Sequence, residues 1–120
     1  MKKIIFLLSF LIFSSLVFAQ NISHPEKIQT TTVNDFIQID IFFNEPINPK
    51  TITFQNILVN ENQIGSTTKF IFNRDGTQVR FKIDFKDNFT LKLQNIKTIN
   101  GNNIFTDIIY LNGDSTWKKS

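Results

Sequence analysis

Strict alternation of apolar and polar residues is the feature that most constrains the fold of this chain. In the segment TQVRFKIDF, residues 77–85, apolar side chains at Val79, Phe81, Ile83 and Phe85 alternate with polar ones. Successive side chains of a β-strand point to opposite faces, so this pattern places one face on a core and the other in water. A sheet with one wet face is typical of antiparallel packing. The segment therefore predicts an antiparallel all-β protein.

The same alternation recurs along the chain between segments rich in turn residues. The dipeptide Asn34-Asp35 favours a tight two-residue turn, and the segment NRDG, residues 73–76, favours a type I turn followed by a left-handed glycine. Nowhere do ten residues form an apolar helical stripe bounded by caps. The predicted strands are residues 26–33, 36–43, 54–59, 67–73, 77–85, 89–95 and 104–111. About seven short alternating strands in roughly 100 residues predict an immunoglobulin-like β-sandwich.

The N-terminal 19 residues have the three-part pattern of a secretory signal. Lys2 and Lys3 precede an apolar stretch, and Ala19 ends a segment that a signal peptidase can cleave. We predict cleavage after Ala19, with a retained N-terminal anchor as the alternative, and no stable membrane span after cleavage. The predicted organisation is a signal peptide at 1–19, a β-sandwich domain at 20–112 and a polar, frayed C-terminal tail at 113–120. The protein is then exported to the periplasm, the cell surface or the medium.

Composition narrows the possible partners and the source of stability. The formal net charge of +3 includes Lys2 and Lys3, so the chain after the signal has nearly equal numbers of basic and acidic residues. That balance predicts no nucleic-acid partner. The chain has no cysteine, so no disulfide can stabilise the exported form and the apolar core must do so.

The stretch FFNEPINPKTITF, residues 42–54, interrupts two apolar runs with two prolines. Pro46 cannot donate a ladder hydrogen bond, so the strand is expected to end near Glu45. Asn48 and Pro49 resemble the cap and first position of a helical turn. We therefore predict a crossing from one sheet to the other, anchored on the core by Ile47 and Ile52, with extended structure resuming at Thr53-Phe54.

Three segments share a set of motif positions: Phe43, Glu45, Pro46, Ile47, Asn48, Pro49, Thr51 and Ile52 in the proline stretch, Asp75, Gly76, Val79 and Phe81 in the hairpin, and Leu93, Ile96, Gly101 and Asn102 in the closing segment. At these positions the sequence resembles the bacterial immunoglobulin-like domains of S-layer and other cell-surface proteins. The resemblance covers about residues 26–111 and implies the same sandwich fold and a non-enzymatic role in the cell envelope.

Candidate catalytic and metal-binding residues are sparse. His24 is the one histidine, and a triad also needs a nucleophile and an orienting carboxylate on a rigid scaffold. Asp40 and Asp84 occupy polar strand positions, where we expect solvated charges. The segments nearest to a calcium site are Asp87-Asn88 and residues 112–114, although neither supplies the full set of oxygen ligands. We predict no enzyme activity and no cofactor.

The remaining candidate for function is the surface. Four side chains are expected to be partly exposed and to form a possible partner surface: Phe42, Ile71, Tyr110 and Trp117. A contiguous apolar patch would mark a binding site, and open sheet edges would allow a partner to add a strand. The sequence therefore predicts an exported module for spacing, adhesion or contact with other envelope or surface proteins. The alternative is a small binding domain for a carbohydrate or peptide ligand.

Overall fold

A computed structural model describes residues 22–84, 87–104 and 106–119. The predicted signal peptide and Phe85 lie outside the described residues. The strands in chain order are β1 (Ile22–Ser23), β2 (Lys27–Val33), β3 (Phe36–Phe42), β4 (Ile57–Val59), β5 (Asn62–Gln63), β6 (Ile71–Phe72), β7 (Gln78–Ile83), β8 (Phe89–Leu93), β9 (Ile96–Lys97), β10 (Asn103–Ile104), β11 (Ile109–Leu111) and β12 (Ser115–Lys118).

The larger sheet has five antiparallel strands in the order β12-β2-β3-β7-β6. In its centre, Ile39 of β3 lies opposite Phe81 of β7, and Ile41 lies opposite Val79. These inward side chains are buried, whereas Arg80 and Lys82 on the outer face of β7 are exposed. The predicted alternation and its phase are therefore confirmed.

The second sheet has four antiparallel strands in the order β11-β8-β4-β5. Leu91 of β8 lies opposite Ile109 on one side and Val59 on the other. Buried side chains of both sheets form one hydrophobic cluster, in which Phe81 and Leu91 are among the largest fully buried residues. This arrangement is a β-sandwich, as predicted. A small third sheet, β1-β10-β9, contains the parallel pair β1–β10.

The proline stretch carries the chain from the five-stranded sheet to the four-stranded one, as predicted. Asn48 caps a 3-10 turn at Pro49–Thr51, and its side chain accepts a hydrogen bond from the Lys50 N–H at 3.1 Å. Ile47 and Ile52 are both buried in the core. Thr53 is extended as predicted, but the expectation that Phe54 continues the extended structure is wrong, because a second 3-10 turn at Phe54–Asn56 precedes β4.

Glu45 joins this crossing to the closing segment of the domain. Its two carboxylate oxygens each accept a hydrogen bond from Asn102 Nδ2 at 3.1 Å. The Ile99 N–H donates to the Pro46 carbonyl at 2.9 Å. Two segments far apart in sequence therefore form one junction, and Glu45 has a structural partner there.

Hairpin turns follow the predicted chemistry. Asn34 has a positive φ of 56° in the turn that joins β2 to β3. Gly76 has φ of 72°, and its N–H donates to the Asn73 carbonyl at 3.2 Å. These two turns determine the registers of the β2–β3 and β6–β7 hairpins, because the conformation of a short turn determines which residues of the flanking strands face each other.

The predicted frayed tail is wrong. The segment Ser115–Lys118 forms β12, which pairs with β2 so that Trp117 lies opposite Ile28. Thr30 Oγ1 donates to the Asn112 carbonyl at 2.6 Å and accepts from the Ser115 N–H at 3.0 Å. β12 is an edge strand, and its alternation has a single large apolar residue, so the sequence pattern is weak.

Two other predicted strands are shorter than expected. The segment 67–73 contributes only β6, at Ile71–Phe72. The segment 104–111 contributes β11 at Ile109–Leu111, whereas Ile104 belongs to the small third sheet. Between Ile104 and β11, Thr106 Oγ1 accepts a hydrogen bond from the Leu93 N–H at 2.8 Å. This bond takes the place of a backbone hydrogen bond between β8 and the segment that precedes β11.

Candidate functional site

The four predicted surface residues do not form one patch. Phe42 is half-buried on the outer face of the five-stranded sheet, and Lys27 Nζ lies 4.3 Å from the centre of its ring. Ile71 is 63% exposed on the edge strand β6. Tyr110 is 80% exposed on β11, and Trp117 on β12 is partly buried against the core. The structure therefore separates them into three surfaces.

A groove of about 660 Å³ lies at the side of the sandwich where β6 is the edge of the five-stranded sheet and β5 the edge of the other. We call this concavity the β7-edge groove. Its apolar lining residues include Phe36, Ile64, Ile71, Phe81 and Ile83. Phe36 is 45% exposed, so the groove combines exposed and buried apolar side chains.

The β7-edge groove follows both sides of β7. Phe81 and Ile83 come from the core-facing side of the strand, and Arg80 and Lys82 come from its outer face. Lys69 and Asp84 supply the other charged side chains of the lining. Three cations and one carboxylate therefore border the groove, which has a net positive lining.

Arg80 is already neutralised by a carboxylate of the same sheet. Its Nε donates to Asp40 Oδ1 at 2.7 Å. Gln78 Nε2 and Gln38 Nε2 also donate to the Asp40 carboxylate, at 3.3 and 3.4 Å. Asp40 is only 5% exposed, so the expectation that it is a solvated charge is wrong. Neighbouring long side chains cover it on the outer face of the sheet and satisfy its oxygens.

A second concavity contains two of the predicted residues together. Tyr110 and Trp117 line a cleft of about 520 Å³ between the edge strands β11 and β12, and His24, Asp107 and Lys118 also line it. Aromatic rings with nearby polar groups are the composition expected of a small-ligand site. Phe42 lies outside this cleft, in a separate shallow depression with Lys27 and Lys118.

Acidic and imidazole side chains are dispersed over the described part of the chain. Within residues 22–84, 87–104 and 106–119, no group of three or more histidine, cysteine, aspartate or glutamate residues is placed to hold a metal ion. At the second calcium candidate, Asp114 Oδ1 accepts a hydrogen bond from the Thr32 N–H at 2.9 Å, so this carboxylate fastens the turn before β12 to β2.

Sequence reasoning missed the exposed Phe36 and the β7-edge groove. Phe36 shares the outward phase of Gln38 and Phe42 in β3, and this parity was the available signal. The groove itself depends on how short β6 is, which the apolar run around Ile71 does not show.

No helix among the described residues has the length and hydropathy that a membrane span requires.

In comparisons with known proteins, the chain matches no family model, no curated protein and no solved structure.

Proposed function

We propose that this chain is an exported, non-enzymatic β-sandwich module of the cell envelope or surface that makes contact with other proteins. The observation that carries the proposal is that two exposed apolar side chains, Phe36 and Ile71, line the β7-edge groove of the two-sheet scaffold. Exposed apolar surface next to a groove is characteristic of protein-interaction sites. The N-terminal signal pattern and the resemblance to bacterial immunoglobulin-like domains support the envelope location.

Export and contact are tested together in the cells that make the protein. Intact-mass analysis of the fractionated protein should give a chain that begins at Gln20, recovered from the envelope or the medium. A photo-crosslinking residue in place of Ile71 should form adducts with other proteins in that fraction. The matched control places the same residue at Lys92, which is exposed on β8 of the opposite sheet. An uncleaved chain confined to the cytoplasm, or equal adducts at both positions, would refute the proposal.

A second candidate function is glycan binding in the cleft between β11 and β12. The observation that favours it is that Tyr110 and Trp117, on different sheets, line one concavity with Asp107 and Lys118. Aromatic rings can stack on the apolar face of a sugar while the charged groups bind its hydroxyls. Titration with a panel of envelope oligosaccharides should quench the Trp117 fluorescence, and Tyr110→Ala should abolish the quenching while Phe36→Ala leaves it intact. Absence of quenching at millimolar sugar would eliminate this candidate.

A further inference from the structure

We propose that the open edge of β7, at Phe81, Lys82 and Ile83, binds an extended segment of a partner protein by strand addition. The segment we infer has aliphatic side chains on one face and acidic side chains on the other. This inference rests on the proposed function as a protein-contact module, and it specifies where the contact is made and what chemistry the partner presents.

The pairing of β7 is asymmetric. On one side, β3 pairs with β7 along its whole length, from Gln78 to Ile83. On the other side, β6 pairs only with Val79 and Arg80. Three consecutive residues, Phe81 to Ile83, therefore have a neighbouring strand on the β3 side only, within the part of the chain that the structure describes. Residues of an antiparallel strand direct their backbone groups to alternate sides, so within this stretch Lys82 is the residue whose N–H and C=O point away from β3. Backbone groups at such an edge are a template for an additional strand.

The chain before β6 does not continue its pairing with β7. Phe70, the residue before β6, packs its ring edge-on against Phe81, with 5.5 Å between ring centres and an angle of 63° between the rings. Residues 65–68 form a separate turn, in which the Thr68 N–H donates to the Gly65 carbonyl at 3.1 Å. The vacated space is the β7-edge groove of about 660 Å³, which is within the usual range for ligand-binding concavities.

The lining of the groove dictates the chemistry of an added strand. Because side chains alternate along a strand, those on one face of the added segment would meet Phe81, Ile83 and Ile64 between the sheets. Those on the other face would meet Lys82 and Lys69, which border the groove. Arg80 is already paired with Asp40 at 2.7 Å. Lys82 is thus the exposed cation best placed to select a carboxylate across the new strand pair.

Charge also argues against a second copy of this chain as the occupant. Symmetric antiparallel pairing of two β7 edges around their central unpaired residue would place Lys82 of one copy opposite Lys82 of the other. Like charges directly opposite each other in neighbouring strands are destabilising, and lysine on an edge strand is a known safeguard against self-association. The partner is therefore a different protein segment that carries acidic residues.

The test uses two blocked heptapeptides in which valine alternates with either glutamate or lysine. Each peptide is titrated into isotopically labelled protein, which is purified in the form that the cell produces. The chemical shifts of the backbone amides are followed by NMR. The glutamate peptide should shift the amides of Phe81 to Asp84 and slow hydrogen exchange at Lys82, whose N–H points away from β3, with affinity at least tenfold above that of the lysine peptide. Lys82→Glu should reverse this preference by at least tenfold.

Lys92→Glu is the matched control, because it makes the same charge change at an exposed position of the opposite sheet. It should change the affinity for the glutamate peptide by less than twofold. Thermal unfolding of both variants shows whether each remains folded, and if Lys82→Glu does not fold, Lys82→Gln takes its place with a smaller loss of preference.

Three results would overturn the proposal. They are no shifts at millimolar peptide, shifts centred away from β7, and self-association of the chain through these same amides in the absence of peptide. Because the titration uses purified protein, such a result would leave export and Ile71 cross-linking standing. A failure of export would in turn leave the peptide preference unchanged, so the two proposals fail separately.

Discussion

Replacement of Phe81 by alanine tests whether the centre of the sandwich lies where the structure places it. Phe81 is 1% exposed, lies opposite Ile39 in the β3–β7 pair and receives the edge of the Phe70 ring. Truncation of a buried phenylalanine to alanine costs about 3–5 kcal/mol from lost transfer energy and the cavity left behind.

The expected cost lies in the lower part of that range. Phe81 borders the β7-edge groove, so the Phe70 ring and water can fill part of the new space. Ile39 and its neighbours, held by central strands, cannot move inward as readily. We therefore expect Phe81→Ala to lower the free energy of unfolding by about 3–4 kcal/mol. A domain of this size has a stability of about 5–15 kcal/mol, so the variant should still fold and be measurable.

Urea denaturation followed by circular dichroism measures the change. The control is Lys82→Ala, on the next residue of the same strand but on its exposed face, which should change the free energy of unfolding by about 0.5 kcal/mol or less. A loss below about 1 kcal/mol for Phe81→Ala, or equal losses for both variants, would mean that the phase of β7 and the position of the core are wrong.

Three further changes test other parts of the structure by the same denaturation assay. Arg80→Met should lower the free energy of unfolding by about 1–3 kcal/mol, because it leaves the buried Asp40 carboxylate with only amide donors while Arg80 itself is half-exposed. The double variant with Asp40→Asn should recover part of this loss. Additive losses from the two changes would argue against the ion pair. Trp117→Ala should lower the free energy of unfolding by about 1–3 kcal/mol, less than for a fully buried tryptophan, because Trp117 packs on the core from an edge strand. An unchanged free energy of unfolding would mean that the C-terminal segment is frayed after all. Gly76→Ala should cost about 1–2 kcal/mol from its φ of 72° alone, since the added methyl would meet no atom closer than 3.7 Å, and an unchanged stability would show that the turn relaxes.

Local patterns in the sequence predicted the features that depend on neighbouring residues. The alternation of Val79, Phe81 and Ile83 gave the correct inward face of β7, because the direction of a side chain in a strand depends only on its parity. The cap at Asn48 and the turn at Gly76 were also predictable, since each depends on the conformation that a few adjacent residues allow. Phe42 and Ile71 were predicted to be partly exposed by the same reasoning about phase, and Ile71 is 63% exposed.

Features that depend on residues distant in the sequence could not be predicted from local patterns. Asp40 occupies a polar strand position, yet three side chains from β3 and β7 bury it. Whether an exposed side chain belongs to a patch depends on which strands are neighbours, so the separation of Ile71 from Tyr110 appeared only in three dimensions.

The sequence alone determines that this chain forms an antiparallel β-sandwich with a core of aliphatic residues and phenylalanine, because side-chain alternation is a local property of extended backbone. Only the tertiary structure decided where the sheets end. The polar segment Ser115–Lys118 forms a strand on the free edge of β2, whereas the predicted strand at 67–73 pairs with β7 only at Ile71 and Phe72. Strand edges are set by competition between segments remote in sequence, and the surface proposed for binding is the product of that competition.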